Sequence, residues 1–544
     1  MNRSDARFVL SVIVILALYS IGILIINHTL GHILPFEDTI MLMRYAQNFA
    51  GGHGIVWNVG QEPIDGCTEI PIVIIVGLLI KLGLRAEMAL FIIEFISHFF
   101  TAIIIYLTIR KLHGLNFLPA ALTAWLFTIG PGLFYITSFW ATPIFALATS
   151  LTWYFAIKIL YSDSNAGSFC FSICSLIAGL IRPEGVFLSI FFLLAIIFIK
   201  GPRKSVNIIL SFVSVFAILG SIFLIWRWHY FGYLLPNPFY RKGGGALYIE
   251  GIKNAFKNTS IFFIPVIPAL IYGLRSKKNY RFIAFSLIPV IGFTLIWILL
   301  TPEQNFIGRF QYPLFPLLLM SWPLIAGVRN SCISLSKIFA NRFRKVSLIG
   351  VAAIVAILLT FTLNAKKTKF ISTRDGRHDI ALALAKFNKR GYTMAVSEAG
   401  HLPFYSGWNA IDLWGLNDKW IAHHDIVTKE YLDRYKPEII NFYADAIIDS
   451  TGDVANRIDT DIHTQKWFRM TLAANNYAIQ NNYILAAIYG HNRNRVQYYY
   501  IRRDFPESAE ICALVRGTDF YTAESNEKCR NFALKTDSLS AGNQ

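Results

Sequence analysis

The stretch PFEDTIMLMRYAQNFAGGHGIVWNVGQEPIDGCTEIP (residues 35–71) organises the rest of the chain around it. It opens with two adjacent acids, Glu37 and Asp38, directly after an apolar run over 8–26. Thr39 to Phe49 carries helical apolar spacing, with Ile40, Met43 and Ala46–Gln47 near one face, and Gly51, Gly52 and Gly54 end that helix. Arg44 follows Asp38 by less than two turns, so the two are expected to face one cavity. Asp65 and Glu69 then precede a second apolar run, 70–82. A polar, acid-rich loop held between two apolar runs belongs to a membrane protein whose chemistry sits where the bundle meets water. Two readings of Glu37 and Asp38 stay open. They cap a helix N-terminus, which favours negative charge, or one of them is a general base.

Composition supports the membrane assignment. Of 544 residues, 55% are hydrophobic and only 15% charged, and the mean hydropathy is +0.47. A soluble domain carries about 25% charged residues, so this chain lacks the charge for a water-facing surface of its size. Disordered, collagen-like and coiled-coil classes are excluded by the same figures. The 50 Lys and Arg against 33 Asp and Glu give +17. In a polytopic protein that excess reads as cytoplasmic loops and phosphate-facing sites rather than nucleic-acid binding.

A hydrocarbon core of about 30 Å needs about 20 helical residues. Candidate spans are 8–26, 88–109, 117–137, 141–159, 168–182, 185–199, 206–226, 259–274, 281–300, 311–328 and 346–364. The run 8–26 is too long for a signal-peptide core and reads as an uncleaved first span. With eleven spans and a cytoplasmic N-terminus, five basic clusters fall on the cytoplasmic side: Arg3/Arg7, Arg110/Lys111, Lys200/Arg203/Lys204, Arg275/Lys277/Lys278/Arg281 and Arg342/Arg344/Lys345. The run 70–82 is short for a span and is expected to dip into the outer leaflet or cap the bundle; a twelfth span is the competing reading. The expected architecture is therefore a polytopic α-helical membrane module over 1–364, with the catalytic first outer loop at 27–87. A soluble extracytoplasmic α/β domain follows over 365–544. In that tail, strands are expected at 392–397, 409–413, 437–443, 483–489 and 496–501, with helical patterning at 379–388 and 427–435. Cys512 and Cys529 are its candidate disulfide if the tail is extracytoplasmic.

Three further segments place polar groups on the outer side. Arg182-Pro183-Glu184-Gly185 lies between two apolar runs, where charges are costly unless paired or functional. The loop Tyr230–Lys242 presents Asn237, Tyr240, Arg241 and Lys242 among aromatics and two prolines. Arg309 stands at the start of a proline-rich span. No Walker loop, metalloprotease helix, zinc spacing or Ser-His-Asp order is present. A divalent cation bridging Asp38 to a phosphate remains an option.

Glu37-Asp38-Thr39, Arg44-Tyr45-Ala46-Gln47-Asn48-Phe49-Ala50 and Gly52-His53-Gly54-Ile55-Val56-Trp57-Asn58 together resemble the first-loop signature of the C-type (GT-C) polytopic membrane glycosyltransferases, in their terminal arabinofuranosyltransferase-like branch. Arg182–Gly185, Leu235–Lys242, Gly308-Arg309-Phe310, Ser397–Gly400 and Asp412–Asp418 resemble it too. Gly66-Cys67-Thr68 departs from the branch's Gly-Tyr-Thr. Glu37 stands where many relatives have Asp, and Phe139-Trp140-Ala141-Thr142 lacks an acid that relatives carry. The resemblance implies inverting transfer of a pentosyl or hexosyl group from a polyprenyl-phosphate donor to a glycan, lipid-glycan or other hydroxyl acceptor. The implied location is the outer side of a bacterial cytoplasmic (inner) membrane, in contact with lipid and not nucleic acid. It implies Asp38, then Glu37, as base, and Arg44, Arg182, Lys242 and Arg309 as phosphate ligands. It also places His53, Asp65, Glu69, Glu184, Asn237, Tyr240 and Arg241 about the substrates. The alternative is a transporter or flippase for a lipid-linked glycan, which predicts polar residues at mid-span on both faces.

Overall fold

The computed structural model describes residues 3–29, 31–242, 249–299, 305, 308–328, 373–448, 462–522 and 527–533. The membrane module is built from α1 (Arg3–Thr29), α2 (Glu37–Ala50), α3 (Ile70–Lys81), α4 (Ala86–Leu107), α5 (Phe117–Thr128), α6 (Gly132–Ser138), α7 (Thr142–Tyr161), α8 (Asn165–Ile181), α9 (Glu184–Lys200), α10 (Val206–Val215), α11 (Ser221–Phe231), α12 (Asn237–Lys242), α13 (Ile249–Phe263), α14 (Ile267–Gly273), α15 (Tyr280–Leu299) and α16 (Leu314–Ala326). Ten of the eleven expected spans fall on these helices; the eleventh, 346–364, lies outside the described residues.

Among the described residues, seven segments are long and apolar enough to cross a bilayer: Arg3–Thr29, Ala86–Leu112, Phe117–Ser138, Thr142–Tyr161, Arg203–Phe231, Gly251–Gly273 and Lys277–Leu299. The helices α3, α8, α9 and α16 have 12, 17, 17 and 13 residues. At 1.5 Å per residue they rise about 18 to 26 Å, short of the hydrocarbon thickness. The 70–82 run is thus a short helix packed on α2 and α4. Pro131, which has no N–H to continue a helical ladder, separates α5 from α6.

Among the described residues the tail forms a mixed six-stranded sheet in the order β2 (Asn409–Asp412), β1 (Thr393–Val396), β3 (Ile439–Ala444), β5 (Val496–Arg502), β4 (Tyr483–Gly490), β6 (Arg530–Asn531). β2, β1 and β3 run parallel; β5, β4 and β6 are paired antiparallel. Five of these strands lie within a residue or two of the expected apolar runs. The helices Ile462–Gln480 and Ser508–Gly517 were not expected. Strands β1, β2, β3 and β5 alternate their side chains between two cores. Met394, Val396, Ala410, Tyr499 and Ile501 join a core continuous with the membrane bundle. Ala395, Ile411, Ile440, Tyr498 and Tyr500 pack beneath the helix Ile462–Gln480. Cys512 and Cys529 are both free, so the expected disulfide is not formed.

The first loop fastens the tail to the bundle. Trp57 is buried, and its Nε1 donates to the Ala410 carbonyl at 3.0 Å. The Asn58 amide accepts from Ala410 N at 2.9 Å and donates to Ala410 O at 3.0 Å. Both backbone polar groups of Ala410 in edge strand β2 are satisfied there, which blunts that edge.

Candidate active site

The helix α2 starts at the acid pair. Adjacent residues on an α-helix project about 100° apart, so Glu37 and Asp38 cannot enter the same pocket. Asp38 turns toward the bundle, where its Oδ2 accepts from Arg309 Nη2 at 2.8 Å. The Arg309 guanidinium lies 4.8 Å from the Trp140 ring centre and 5.0 Å from that of Phe310. Its Nε has no hydrogen-bond partner among the described residues.

Arg182 approaches the same Phe310 ring at 5.0 Å and also faces Phe145 at 5.7 Å. Its guanidinium pairs with Glu184 at 3.3 Å and Glu69 at 3.9 Å. Local sequence dictates this turn. A residue before proline is driven to extended backbone, and Arg182 has φ −144° and ψ 133°. Glu184 then occupies the first turn of α9, where the helix dipole favours it. Gly185 is required because a Cβ there would collide with the Ala178 carbonyl oxygen. Two guanidiniums and three carboxylates (Asp38, Glu69, Glu184) therefore gather around one aromatic ring. Asp38 is the most exposed member at 27%, against 12% for Arg182 and 8% for Arg309. Burial raises the Glu69 carboxyl above its usual range, opposed by the charges of Arg182 and Arg309.

Trp140, beneath Arg309, stands between two left-handed residues, Phe139 (φ 57°) and Ala141 (φ 54°). Such conformations cost about 1–3 kcal/mol each for residues with a side chain and persist where surrounding contacts impose them. Thr39 Oγ1 supplies one contact, donating to the Phe139 carbonyl at 2.8 Å. The strained turn sets the indole face under the guanidinium, and no sequence pattern announces it.

Glu37 points the other way, into the tail. Its carboxylate pairs with Arg377 at 2.9 Å and accepts from His401 N at 3.1 Å. Arg377 also holds Glu398 at 2.7 Å and Asp375 at 2.6 Å. A Cβ on Gly400 would collide with Glu37 Oε2, so the approach needs glycine. Burial raises both Glu37 and Glu398, and Arg377 opposes it. Burial acts the same way on Asp375, but Arg377 and His401 outweigh it and hold Asp375 at about 2. Glu37 thus joins the loop to the tail, a role that sequence spacing did not reveal. Its partner Arg377 lies 340 positions away, within an Asp-Gly-Arg run that carries no motif.

Other expected site residues are placed elsewhere. Arg44 does not share the cavity of Asp38. Its Nε donates to Trp57 O at 2.8 Å, its Nη1 to Pro403 O at 2.6 Å, and its Nη2 to Asn58 Oδ1 at 3.0 Å and Trp408 O at 2.8 Å. Six helical positions carry it about 240° from Asp38, onto the tail-facing side. Asp65 pairs with buried Arg227 at 2.5 Å, and its carbonyl accepts from Asn237 N at 2.9 Å, so Asp65 and Asn237 brace the loops. Tyr240 packs on His423 at 4.3 Å. His53 is exposed on the turn that closes α2. Arg241 enters a separate cleft against the tail, and the Lys242 side chain lies outside the described residues. Among the described residues no group of three or more His, Cys, Asp or Glu side chains is arranged to hold a metal ion.

Arg44→Met is expected to cost of order 3 kcal/mol, because it strips the donor from four acceptors at a buried junction. A clear fall in melting temperature of the purified protein, with faster proteolysis of the tail, is the expected result. An unchanged melting temperature with weakened ligand binding would instead return Arg44 to the site.

A model for a domain of unknown function, DUF8728, matches residues 369–503, the core of the tail. No curated protein matches the chain. Among solved structures, ArnT from Cupriavidus metallidurans in the apo state superposes with a TM-score of 0.52 at 12% identity, over 86% of this chain and 93% of that one. The chain has the GT-C fold. ArnT from the same organism bound to undecaprenyl phosphate gives 0.49 at 12% identity, over 91% and 97% of the two chains. The arabinofuranosyltransferase AftD from Mycobacteria gives 0.46 at 12% identity, over 93% of this chain and 40% of that one. In this GT-C bundle Asp38 at the head of α2, Glu69 before α3, the turn between α8 and α9, and Arg309 on the approach to α16 supply the charged groups that converge on Phe310.

Proposed function

We propose that the protein is a glycosyltransferase that moves a sugar from a polyprenyl-phosphate donor to a hydroxyl acceptor at the outer face of a bacterial cytoplasmic membrane. The observation that carries this reading is the Asp38–Arg309 contact beside Arg182. The most accessible carboxylate of the cluster touches a guanidinium with an unused donor, and a second guanidinium flanks the same ring.

An acceptor hydroxyl is far too weak an acid to ionise at neutral pH. Asp38 takes its proton as the new C–O bond forms at the anomeric carbon. The bond from that carbon to the phosphate oxygen breaks, and its electron pair leaves with the lipid phosphate. Displacement from the opposite face inverts the anomeric centre. Arg309 and Arg182 meet the charge that grows on the leaving phosphate, and the planar guanidinium suits its oxygens. The Asp38–Arg309 pair adds a consequence. An arriving phosphate competes for Arg309 and so frees the Asp38 carboxylate only when donor is present.

The direct test is transfer by the purified full chain from synthetic polyprenyl-phosphate pentoses and hexoses to candidate glycan acceptors. Product with inverted anomeric configuration is expected with one donor. No product with any donor, together with movement of a lipid-linked glycan across vesicles containing the protein, would overturn the reading in favour of transport.

A further inference from the structure

Glu94 lies on α4, inside the segment Ala86–Leu112, and is fully buried. A polar group at that depth is costly unless something holds it. No cation pairs with it among the described residues; its charged neighbour is another acid, Glu69. Its oxygens have no side-chain hydrogen-bond partner there either and meet the backbone N–H groups of Ala141 and Ile144. Both N–H groups belong to the start of α7. The N-cap of α7 is Ala141, which has no side-chain acceptor, and the first turn of any helix leaves its N–H groups unpaired. Pro143, in that turn, has no N–H to satisfy. Ile144 is the third helical residue, a position whose N–H a capping serine or aspartate ordinarily takes. Glu94 thus does from α4 what the N-cap of α7 cannot do for itself, and the two helices pack along each other.

What Glu94 caps is the strained turn. Ala141 directly follows Trp140, and it and Phe139 are the two left-handed residues. Thr39 holds the Phe139 carbonyl from α2, and Glu94 meets the Ala141 N–H from α4, so Trp140 is fixed between two anchors. Its indole lies 4.8 Å from the Arg309 guanidinium. It also meets Phe36, the residue before the acid pair, edge to face at 5.1 Å. The indole therefore touches both the start of the helix that carries Asp38 and the arginine that Asp38 contacts. We propose that Glu94 is a positioning residue: by capping α7 it fixes Trp140, and through Trp140 the placement of Arg309 beside Asp38. Its effect on transfer rests on the function proposed above; its effect on Trp140 does not.

Two readouts separate these. Fluorine NMR of the fluorotryptophan-labelled full chain in detergent reports on Trp140, whose resonance is the one lost in Trp140→Phe. That resonance should move in Glu94→Ala, and in Glu94→Asp, whose shorter side chain stops short of the N–H groups. It should stay within a linewidth of the parent in Glu94→Gln, which keeps an acceptor oxygen at the same reach. In the transfer assay Glu94→Ala should lower kcat/KM for the donor by about tenfold, the scale of a buried N–H left without an acceptor, with Glu94→Gln within a few-fold of the parent. Added to Trp140→Leu, the alanine substitution should cost little more, because it acts through the indole. Should Glu94→Ala not fold, Glu94→Asp and Glu94→Gln carry both readouts. An unmoved Trp140 resonance in the alanine and aspartate variants, equal losses in Glu94→Gln and Glu94→Ala, or a full tenfold further loss in the Trp140→Leu background would each overturn the proposal. A moved resonance, with no transfer by the parent chain from any donor, supports the capping of α7 and counts against the transfer reading instead.

Discussion

Asp38→Asn is expected to lower the transfer rate by about 10²–10⁴-fold, the usual contribution of a positioned general base. Asn keeps the size of the side chain and an oxygen that can still accept from Arg309 Nη2, so the packing of α2 should survive. What is lost is the capacity to hold the acceptor's proton. Donor binding should stay within a few-fold, so the change falls on kcat. The measurement is single-turnover transfer beside equilibrium binding of the polyprenyl-phosphate donor. Turnover within tenfold of the parent would remove Asp38 as base and leave it as the ion-pair partner of Arg309. Glu37→Gln is the useful companion: its partners are Arg377 and the His401 amide, so it should disturb the junction with the tail more than the chemical step.

Arg309→Ala should reduce kcat/KM for the donor by about 10²–10³-fold, the scale of one donor lost at a developing oxyanion. It should also weaken donor binding, since the same group meets the ground-state phosphate. Arg309→Lys keeps the charge but loses the planar contact with Trp140 and the two-pronged geometry, so it should fall between the two. Because Asp38 and Arg309 touch, the double variant Asp38→Asn/Arg309→Ala should lose less than the two separate losses combined. Unchanged donor affinity in Arg309→Ala would mark it as a boundary arginine whose role ends at pairing Asp38.

The local grammar of the chain was readable from its residues. Apolar runs mark helices because each has to bury or face lipid along most of its length, and the structure places helices on ten of the eleven. The alternation in 392–397 and 496–501 marks strands with one side chain to each face, and the two cores of the tail divide them that way. Arg182-Pro183-Glu184 carries its own geometry, since proline constrains the residue before it and a helix start favours the acid after it. Asp38, Arg182, Arg309, Glu69 and Glu184 were all singled out by their charge beside apolar sequence, and the structure gathers these five.

Partnership was not readable. Arg44 and Asp38 share a helix, yet six positions turn them to different sides, and four acceptors from the first loop and the tail take the arginine. Glu37 and Asp38 are neighbours in the chain, yet one helical step turns them into different pockets. Asp65 meets Arg227 across 162 positions, and Glu37 meets Arg377 across 340. Short-range rules govern which residues form helices, strands and turns, because those depend on backbone torsions and on what water or lipid excludes. Which charge faces which depends on how whole elements pack, and that is set by contacts distributed over the chain. The sequence by itself determined a helical membrane bundle, a strand-rich tail and a set of charged residues at their boundary. The tertiary structure alone decided that Asp38 faces the arginines, while Glu37 and Arg44 hold the tail in place.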